Sequence, residues 1–235
     1  MGITLNEIAY DLLNLIRAGR SVASETITID QVKFWVVNSR AQLIRNEANK
    51  QRTIDPELIQ DLGCLEVEAV NAALCCNVSV DCNVVRTKMK IPGFIEINQK
   101  PLITRVGPIN RTSPQYDLIP IERLPFEFQN KFTKNQIKSY IHGDYIYLAG
   151  HKDNPDVFTL AYVNVAGVFE DPRSIADFEC ENEACYSDDS SFKIKRWMIE
   201  QMKAQIVQLD LQTIAGSFTD KTSDSKVNLE NQAQQ

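Results

Sequence analysis

Apolar side chains in the first 50 residues recur every three or four positions, which is the spacing of an amphipathic helix. The first helix is predicted to begin at a capping box formed by Thr4 and Glu7, whose side chains can each satisfy a free backbone amide. Gly19 is predicted to end it, because glycine often follows the last turn of a helix. The apolar positions of this helix are Leu5, Ile8, Leu12, Leu13 and Ile16.

A second helix is predicted from residues 28–30 to about residue 50, with its charged side chains away from the apolar stripe. A third, short helix is predicted from Asp55 and Pro56, an N-cap followed by proline, to Gly63. The stripe of the second helix consists of Val32, Trp35, Val36, Leu43 and Ile44, and the charged positions off it are Arg40, Arg45 and Glu47.

The pattern changes between residues 64 and 169, where apolar and polar positions alternate over short stretches, as in strands. Prolines between residues 92 and 125 exclude long helices there. The strongest signal is a tight hairpin, in which two aromatic and β-branched runs flank Gly143 and Asp144. The other predicted strands cover residues 65–69, 84–89, 94–97, 102–106, 116–119 and 158–169.

Helical spacing returns towards the C-terminus. Asp171 and Pro172 are predicted to open a short helix that reaches Phe178. A longer helix is predicted over residues 192–215 from its apolar stripe. Residues 217–235 are polar and cannot form a core, so they are predicted to be an extended or disordered tail.

The order helices, strands, helices indicates the α+β class, because a doubly wound sheet would alternate the two element types. We predict a helical bundle of N-terminal and C-terminal helices, interrupted by a β-rich insertion and followed by a flexible C-terminal tail. The predicted domains are residues 1–63 with 170–216 for the bundle, 64–169 for the insertion and 217–235 for the tail.

The net charge is −6, from 25 basic and 31 acidic residues, which argues against a domain that reads DNA sequence. The charges are unevenly distributed along the chain. Residues 86–140 contain ten Lys or Arg and four Asp or Glu, whereas residues 141–192 contain two and eleven. Such an uneven distribution of charge is informative about partners and assembly rather than about the fold.

We expect no segment of this sequence to enter a membrane. Its longest unbroken apolar runs are five residues, whereas a transmembrane helix needs about 20. The first residues also lack the charged start and apolar stretch of a secretory signal, so we expect the protein to stay in a cytosol-like compartment.

The common catalytic and cofactor motifs are absent from the sequence. It contains no dinucleotide fingerprint, no phosphate-binding loop and no Gly-x-Ser-x-Gly elbow. A Cys–His nucleophile using His142 is disfavoured, because an exposed turn histidine is far commoner. A zinc site is disfavoured too, because the cysteine spacing differs from a zinc knuckle. We therefore predict no catalytic residue, metal or cofactor; the cysteines considered for zinc are Cys75, Cys76, Cys82, Cys180 and Cys185.

Two sets of residues are candidates for contacts with partners. Trp35 and Trp197 fall on helical apolar stripes, so core packing is the default interpretation and a partner-facing anchor is the alternative. The basic residues of the middle are expected to pair with acidic surface on a neighbouring subunit, since no aromatic platform for single-stranded nucleic acid is evident. They are Arg86, Lys88, Lys90, Arg105, Arg111 and Arg123.

Several separated blocks of the sequence resemble virion proteins of crAss-like bacteriophages. The resemblance spans most of residues 5–210 and leaves the polar tail outside it. The blocks are Ile29–Trp35, Arg40–Arg45, Arg52–Gln60, Leu62–Cys64, Ala73–Cys76, Arg105–Pro108, Gly143–Tyr147 and Gly167–Pro172.

These proteins are taken to form rings of the head-to-tail connector and are broadly similar to podovirus head–tail adaptor proteins. The resemblance implies a non-enzymatic structural subunit of the portal–tail connector, in a dodecameric ring around the DNA channel. Implied partners are other copies of the chain, the portal protein or adjacent tail rings, and packaged DNA that passes without sequence-specific binding. The implied location is the portal vertex and tail of the virion, after assembly in the host bacterial cytoplasm.

Candidate interface residues follow from this interpretation. The tail is expected to dock on the portal or the next ring, with Phe218 and Leu229 as its apolar anchors. Two alternatives stay open, a small phage enzyme of the Cys/His hydrolase type and a zinc-stabilised binding module. The remaining candidates for the ring or portal interface are Trp197, Arg105, Arg111, Tyr145 and Tyr147.

Overall fold

The chain forms two compact units. A computed structural model describes residues 2–19, 27–50, 53–71, 83–129, 131–133, 135–151, 155–179 and 187–208. Met1–Asn46 with Asp188–Gln235 form the first unit, and Glu47–Ser187 form the second. The described part of the first is helical and the second contains the strands, so they are called the helical unit and the sheet unit. Helices and a strand-rich sheet together confirm the α+β class.

Three helices occupy the described part of the helical unit. They are α1 (Leu5–Gly19), α2 (Ile29–Asn49) and α3 (residues 196–208). The predicted capping box is confirmed, because the Glu7 amide donates to Thr4 Oγ1 at 3.1 Å and the Thr4 amide donates to Glu7 Oε2 at 3.0 Å. The prediction that α3 begins at residue 192 is wrong, since the Phe192 amide donates to the Ile3 carbonyl at 2.9 Å.

Each of the three helices buries an apolar face, and polar pairs join α3 to the other two. Lys203 Nζ lies 2.5 Å from Asp11 Oδ2 on α1. Gln205 Nε2 donates to Gln42 Oε1 on α2 at 2.6 Å. Burial of each large apolar side chain contributes about 1.5–3 kcal/mol. The fully buried apolar residues of this unit are Leu5, Ala9, Leu12, Val32, Val36, Met198, Met202 and Ile206.

Arg40 is fully buried, so the prediction that it lies off the apolar stripe of α2 is wrong. It follows Val36 by four residues and therefore shares its face of the helix. Its Nε donates to the Lys193 carbonyl at 2.5 Å, and its guanidinium carbon lies 5.9 Å from the centre of the Phe192 ring. The charge is tolerated because the segment before α3 offers an acceptor and an aromatic face.

The described residues of the sheet unit form nine strands. They are β1 (Gln60–Asn71), β2 (Asn83–Thr87), β3 (Glu96–Ile97), β4 (Lys100–Pro101), β5 (Ile103–Gly107), β6 (Asp117–Leu118), β7 (Lys138–His142), β8 (Tyr145–Ala149) and β9 (Tyr162–Gly167). Seven of them form one sheet in the order β5-β9-β1-β2-β8-β7-β6, and β3 pairs with β4 separately. Neighbouring strands are antiparallel except β6 and β7, which are parallel.

The sheet curves around a single apolar core. The first half of β1 pairs with β9 and the second half with β2. The Tyr116 amide, just before β6, donates to the Val106 carbonyl of β5 at 2.7 Å, so the two outer strands approach each other. The Phe94 and Phe169 rings lie 4.5 Å apart inside. Other core residues are Leu62, Val85, Ile146, Leu148, Val163 and Val165.

The prediction of a short helix ending at Gly63 is wrong. Only a 3₁₀ turn, Pro56–Leu58, follows the Asp55 cap, and β1 begins at Gln60. Gly63, with φ of 70°, lies in a bulge where the pairing with β9 shifts register. The Asp61 carboxylate accepts from the Gly63 amide at 2.9 Å, and pairing with β9 replaces the helical hydrogen bonds.

The predicted hairpin is confirmed as β7 and β8. Gly143 and Asp144 have φ of 55° and 65°, and a two-residue turn with both φ positive matches the twist of the flanking strands. The strand predicted over residues 158–169 is shorter, because a 3₁₀ turn precedes it. The short helical segments of the sheet unit are Ile121–Arg123, Leu124–Glu127, Pro155–Thr159, Pro172–Ile175 and Ala176–Glu179.

Candidate assembly surfaces

The connection from β6 to β7 carries exposed apolar side chains. Parallel strands need a long crossover, and such a segment usually buries its apolar residues on the sheet. Here Ile121, Phe126 and Phe132 are 41%, 68% and 85% exposed. These three residues are called the crossover surface. Phe128 of the same segment is half-buried and meets His151 edge-on, with ring centres 6.4 Å apart.

Two prolines explain why the crossover does not form one continuous amphipathic helix. Pro120 precedes a 3₁₀ turn, Ile121–Arg123, and Pro125 lies in the first turn of the four-residue helix Leu124–Glu127. Neither element is long enough to build an apolar stripe that could pack along the sheet. The aromatic side chains are consequently left facing solvent.

A second apolar area lies on β9 and the turn before it. Tyr162 is 49% exposed, whereas its neighbour Val163 is fully buried, so the Tyr162 side chain lies on the outer face of the sheet. Phe158, in the turn Pro155–Thr159, is 56% exposed. Tyr162 and Phe158 are called the β9 surface. Glu66 on β1 is the pairing partner of Tyr162 in the sheet. Its Oε2 lies 2.9 Å from Lys88 Nζ, so this ion pair lies beside Tyr162.

The two surfaces lie at different positions around the curved sheet. In the strand order, β1, β2 and β8 lie between β9 and β7. In the other direction around the curved sheet, β5 and the short β6 lie between them. The crossover surface and the β9 surface therefore belong to different elements of the sheet unit.

The basic residues of the middle pair mainly with acidic residues of β1. Arg86 Nη2 lies 3.2 Å from Glu68 Oε1 on the adjacent strand, and Lys88 pairs with Glu66. Arg111 pairs with Asp61. Arg86, Lys88 and Arg111 therefore have acidic partners within the same chain, and pairing of the basic residues with a neighbouring subunit stays a prediction.

Arg105 and Arg111, two candidate interface residues, are held at the end of β5. Arg105 Nη2 donates to the Pro108 carbonyl at 3.3 Å. Arg111 reaches Asp61, whose other oxygen accepts from Asn164 Nδ2 at 2.7 Å. This network fixes the loop after β5 against the bulge of β1. A role for either arginine in an interface stays a prediction.

Tyr145 and Tyr147, on β8, differ in how deeply they are buried. Tyr147 is buried, and its ring stacks on Tyr140 with centres 5.1 Å apart. Tyr145 is half-buried, and the Arg86 guanidinium carbon lies 4.4 Å from its ring centre, a cation–π geometry. The structure thus brings Tyr145 together with a basic residue of the middle, and both tyrosines remain predicted interface residues.

Trp197 in the helical unit is 46% exposed, so its default interpretation as a core residue is wrong. It precedes the buried Met198 in the first turn of α3, and the face formed by Met198, Met202 and Ile206 points inward instead. An exposed tryptophan suits a partner-facing anchor. Trp35 is half-buried, and Phe218 and Leu229 lie outside the described residues.

Among the described residues, three ionisable groups have shifted pKa values for identifiable reasons. Burial raises the pKa of the Tyr116 phenol above its ordinary value of 10.0. The hydrogen bond to Glu66 raises the pKa of Lys88, and the hydrogen bond to Asp11 raises that of Lys203. Each shift favours the protonated form, so it changes the charge of the group only in alkaline solution.

In the described ranges, no three His, Cys, Asp or Glu side chains converge in a way that would hold a metal ion. His142 is exposed and meets the Tyr147 ring edge-on, with centres 6.2 Å apart. Cys64 is exposed with a free thiol. The cysteines considered for zinc, Cys75, Cys76, Cys82, Cys180 and Cys185, lie outside the described residues.

Among the helices that the structure describes, none combines the length and the hydropathy that a membrane span requires.

The sequence pattern does not predict the crossover and β9 surfaces. The segment from Ile121 to Phe132 has apolar residues without a clear period of two or 3.6, so its pattern predicts no regular element. The available signal is three phenylalanines, Phe126, Phe128 and Phe132, in a segment that also carries charged residues. Pro120 and Pro125 prevent a regular helix there. Exposure itself depends on the long-range pairing of β6 with β7, which local patterns do not contain.

Comparison with known proteins gave two matches. The sequence matches a protein-family model described as phage tail ring protein 2 over residues 7–233. It is also 25% identical over 213 residues to a protein named Ring protein 2 from Bacteroides phage crAss001. That alignment covers 88% of this chain and 89% of the phage protein.

Proposed function

Because the chain belongs to the phage tail ring protein 2 family, we propose that it forms a closed ring in the connector between the portal and the tail. Membership of the family makes it a structural, virion-associated ring protein of a bacteriophage tail and confirms the resemblance to crAss-like phage ring proteins. The observation that carries the proposal is the family match over residues 7–233, which covers nearly the whole chain.

The proposed ring is a dodecamer that surrounds the DNA channel. A heterologous contact between two different faces of one chain closes into a ring when the rotation between copies is right. The net charge of −6 supports a channel role, because phosphate contacts dominate affinity for DNA and an acidic wall lets DNA slide past. Packaged DNA would pass without sequence-specific binding.

The proposed architecture is a helical bundle with a β-rich insertion and a docking tail. The helical unit is assembled from both ends of the chain, which supports the bundle, and the sheet unit supports the insertion. Residues 217–235 would dock on the portal or an adjacent ring, with Phe218 and Leu229 as anchors. Trp197, exposed on α3, is a further anchor in this proposal.

The proposed location is the portal vertex and tail of the virion, after assembly in the host bacterial cytoplasm. The proposal assigns the chain no catalytic step, and its activity consists of holding neighbouring proteins in register. The family to which it belongs is structural, which supports this assignment.

Electron microscopy of the purified full-length protein, alone and with portal protein, tests this function. We expect closed rings with dodecameric symmetry that stack on the portal. A protein that forms no ring in either sample, and that occurs singly in mature particles, would contradict the proposal.

Docking through the tail has its own test. Deletion of residues 217–235 is expected to leave the fold intact and to abolish binding to the adjacent ring or portal. The matched variant Phe218→Ser with Leu229→Ser keeps the length of the tail and removes only its anchors. It is expected to lose binding as well, and unimpaired docking of both variants would refute the tail's role.

A further inference from the structure

We propose that neighbouring copies in the ring meet through the sheet unit, with the crossover surface of one copy on the β9 surface of the next. This inference rests on the proposed ring and adds the residues that join its subunits. The occupant of the crossover surface is therefore a second copy of this chain.

Exposure of the crossover residues is the first argument. Phe126 is 68% exposed and Phe132 is 85% exposed, within a short segment that also exposes Ile121. Each aromatic side chain buries about 150–250 Å² when it is covered, against about 800 Å² per partner in a standard interface. Two phenylalanines thus supply a large part of one partner's share, and aromatic residues are the common anchors of interfaces.

Placement is the second argument. A ring requires that the two halves of each contact come from different faces of the same chain. The crossover surface follows β6 and precedes β7, whereas the β9 surface lies beyond β8, β2 and β1 in the sheet order. A contact between these two surfaces is therefore head-to-tail and can repeat from copy to copy. One surface meeting its own twin would instead stop at a dimer.

Chemistry of the receiving surface is the third argument. Tyr162 and Phe158 offer two exposed aromatic faces, and the ion pair of Lys88 with Glu66 lies beside Tyr162 as a polar rim. Aromatic pairs contribute about 0.5–1.5 kcal/mol beyond the area that they bury. The intrachain pairing of Glu66 and Lys88 leaves the apolar rings, rather than free charges, as the contact-forming groups.

A pair of complementary variants tests the head-to-tail geometry. Phe126→Asp disables the crossover surface and Tyr162→Asp disables the β9 surface, and native mass spectrometry measures the assembly. Each variant alone is expected to be monomeric. Their equimolar mixture is expected to form a heterodimer only, because one intact surface remains on each chain. Either variant assembling like the unmodified protein, or a mixture that stays monomeric, would overturn the inference.

Controls separate a lost contact from a lost fold. Gln99→Asp adds the same charge at the exposed turn between β3 and β4 and is expected to assemble normally. Circular dichroism checks that both interface variants retain the sheet. If an aspartate variant does not fold, Phe126→Ser and Tyr162→Ser remove the rings without adding charge and are expected to give the same heterodimer.

Photocrosslinking inside assembled particles provides the second readout. Benzoylphenylalanine at position 126 is expected to link two copies of the chain, through the peptide that contains Phe158 and Tyr162. A link to another protein or another segment, or no link, would overturn the inference while the ring proposal stands if many copies are present. A protein found singly in particles would instead contradict the proposed function itself.

Discussion

The start of a helix in the helical unit and the bulge in the sheet unit are determined by residues at very different distances along the chain. In the helical unit, α1 begins at a capping box of residues only three apart in sequence. In the sheet unit, the bulge of β1 depends on a hydrogen bond between Asp61 and Asn164, which are 103 residues apart. Local patterns therefore predict the helices well, whereas the sheet must be understood from its register.

The two units also differ in what their surfaces offer to partners. The helical unit buries a charged residue, Arg40, and exposes Trp197 on α3. The sheet unit pairs Arg86 and Lys88 with acidic residues of β1 and exposes aromatic residues at the crossover and β9 surfaces. The proposed ring contact uses these apolar side chains, and ion pairs between subunits stay a prediction.

The difference between the two units can be tested because tryptophan fluorescence reports the unfolding of only one of them. Both tryptophans of the chain, Trp35 and Trp197, lie in the helical unit. Their fluorescence reports the helical unit alone, whereas far-ultraviolet circular dichroism reports the secondary structure of both units, so a difference between the two unfolding curves belongs to the sheet unit. Each of the following variants has an expected effect on one of these signals.

Phe169→Ala is expected to have the largest effect, on the sheet unit. Phe169 is fully buried against Phe94, and truncation of a buried phenylalanine leaves a cavity that costs about 3–5 kcal/mol. Urea unfolding followed by circular dichroism measures the loss. Ile109→Ala, at a 47% exposed position outside both named surfaces, is the control and is expected to change stability by less than about 0.5 kcal/mol. Equal losses in the two variants would contradict the core assigned here.

Arg40→Ala is expected to have the next largest effect, on the helical unit. It removes the donor to the Lys193 carbonyl and empties a buried volume, which costs about 3 kcal/mol. Tryptophan fluorescence during urea unfolding measures this loss. Asn38→Ala, on the exposed side of α2, is the control and is expected to lie within about 0.5 kcal/mol of the unmodified protein. An Arg40→Ala protein of unchanged stability would show that the buried guanidinium has no structural role.

Gly63→Ala sharpens the comparison further, because it tests the bulge alone. A Cβ at this position would meet no atom within 4 Å, so the cost comes only from the φ of 70°. That cost is about 1–2 kcal/mol for an L-residue with a side chain. Gly63→Asn is expected to lose less, since asparagine tolerates this conformation better. If alanine and asparagine are both as stable as glycine in urea unfolding, the bulge is not the conformation that Gly63 maintains.

Alkaline pH is expected to have the smallest effect. Burial raises the pKa of Tyr116 in the folded protein, so the unfolded chain loses this proton first as the pH rises above the ordinary value of 10.0. The contribution of the Tyr116 proton to the free energy of unfolding is therefore complete below that pH and is lost as the pH rises further. Tyr116→Phe is expected to weaken this decline in the circular dichroism signal of the sheet unit. An identical decline in both proteins would exclude Tyr116 as its source.

Features encoded by neighbouring residues were predictable from the sequence. The capping box at Thr4 and the hairpin at Gly143 each depend on residues within a few positions, and both are confirmed. Gly63 was misinterpreted because glycine ends helices and occupies bulges with the same positive φ. Only the pairing of β1 with β9, about 100 residues away, decides between the two.

The candidate interface was less predictable for the same reason. Tyr147 belongs to a conspicuous hairpin, yet register with β7 places its ring on Tyr140. Phe126 gave no periodic signal, yet the parallel pairing of β6 and β7 leaves it on the surface. Exposure of an aromatic residue is a property of the folded chain and cannot be derived from its sequence neighbours alone.

The central claim is that this chain functions through contacts between its copies in a tail ring. Cryo-electron microscopy of the intact portal vertex and tail tests it most directly, at a resolution that traces side chains. We predict a closed ring of this chain in which Phe126 of each copy packs on Tyr162 of the next. Isolated copies of the chain, each surrounded only by other proteins, would contradict the claim.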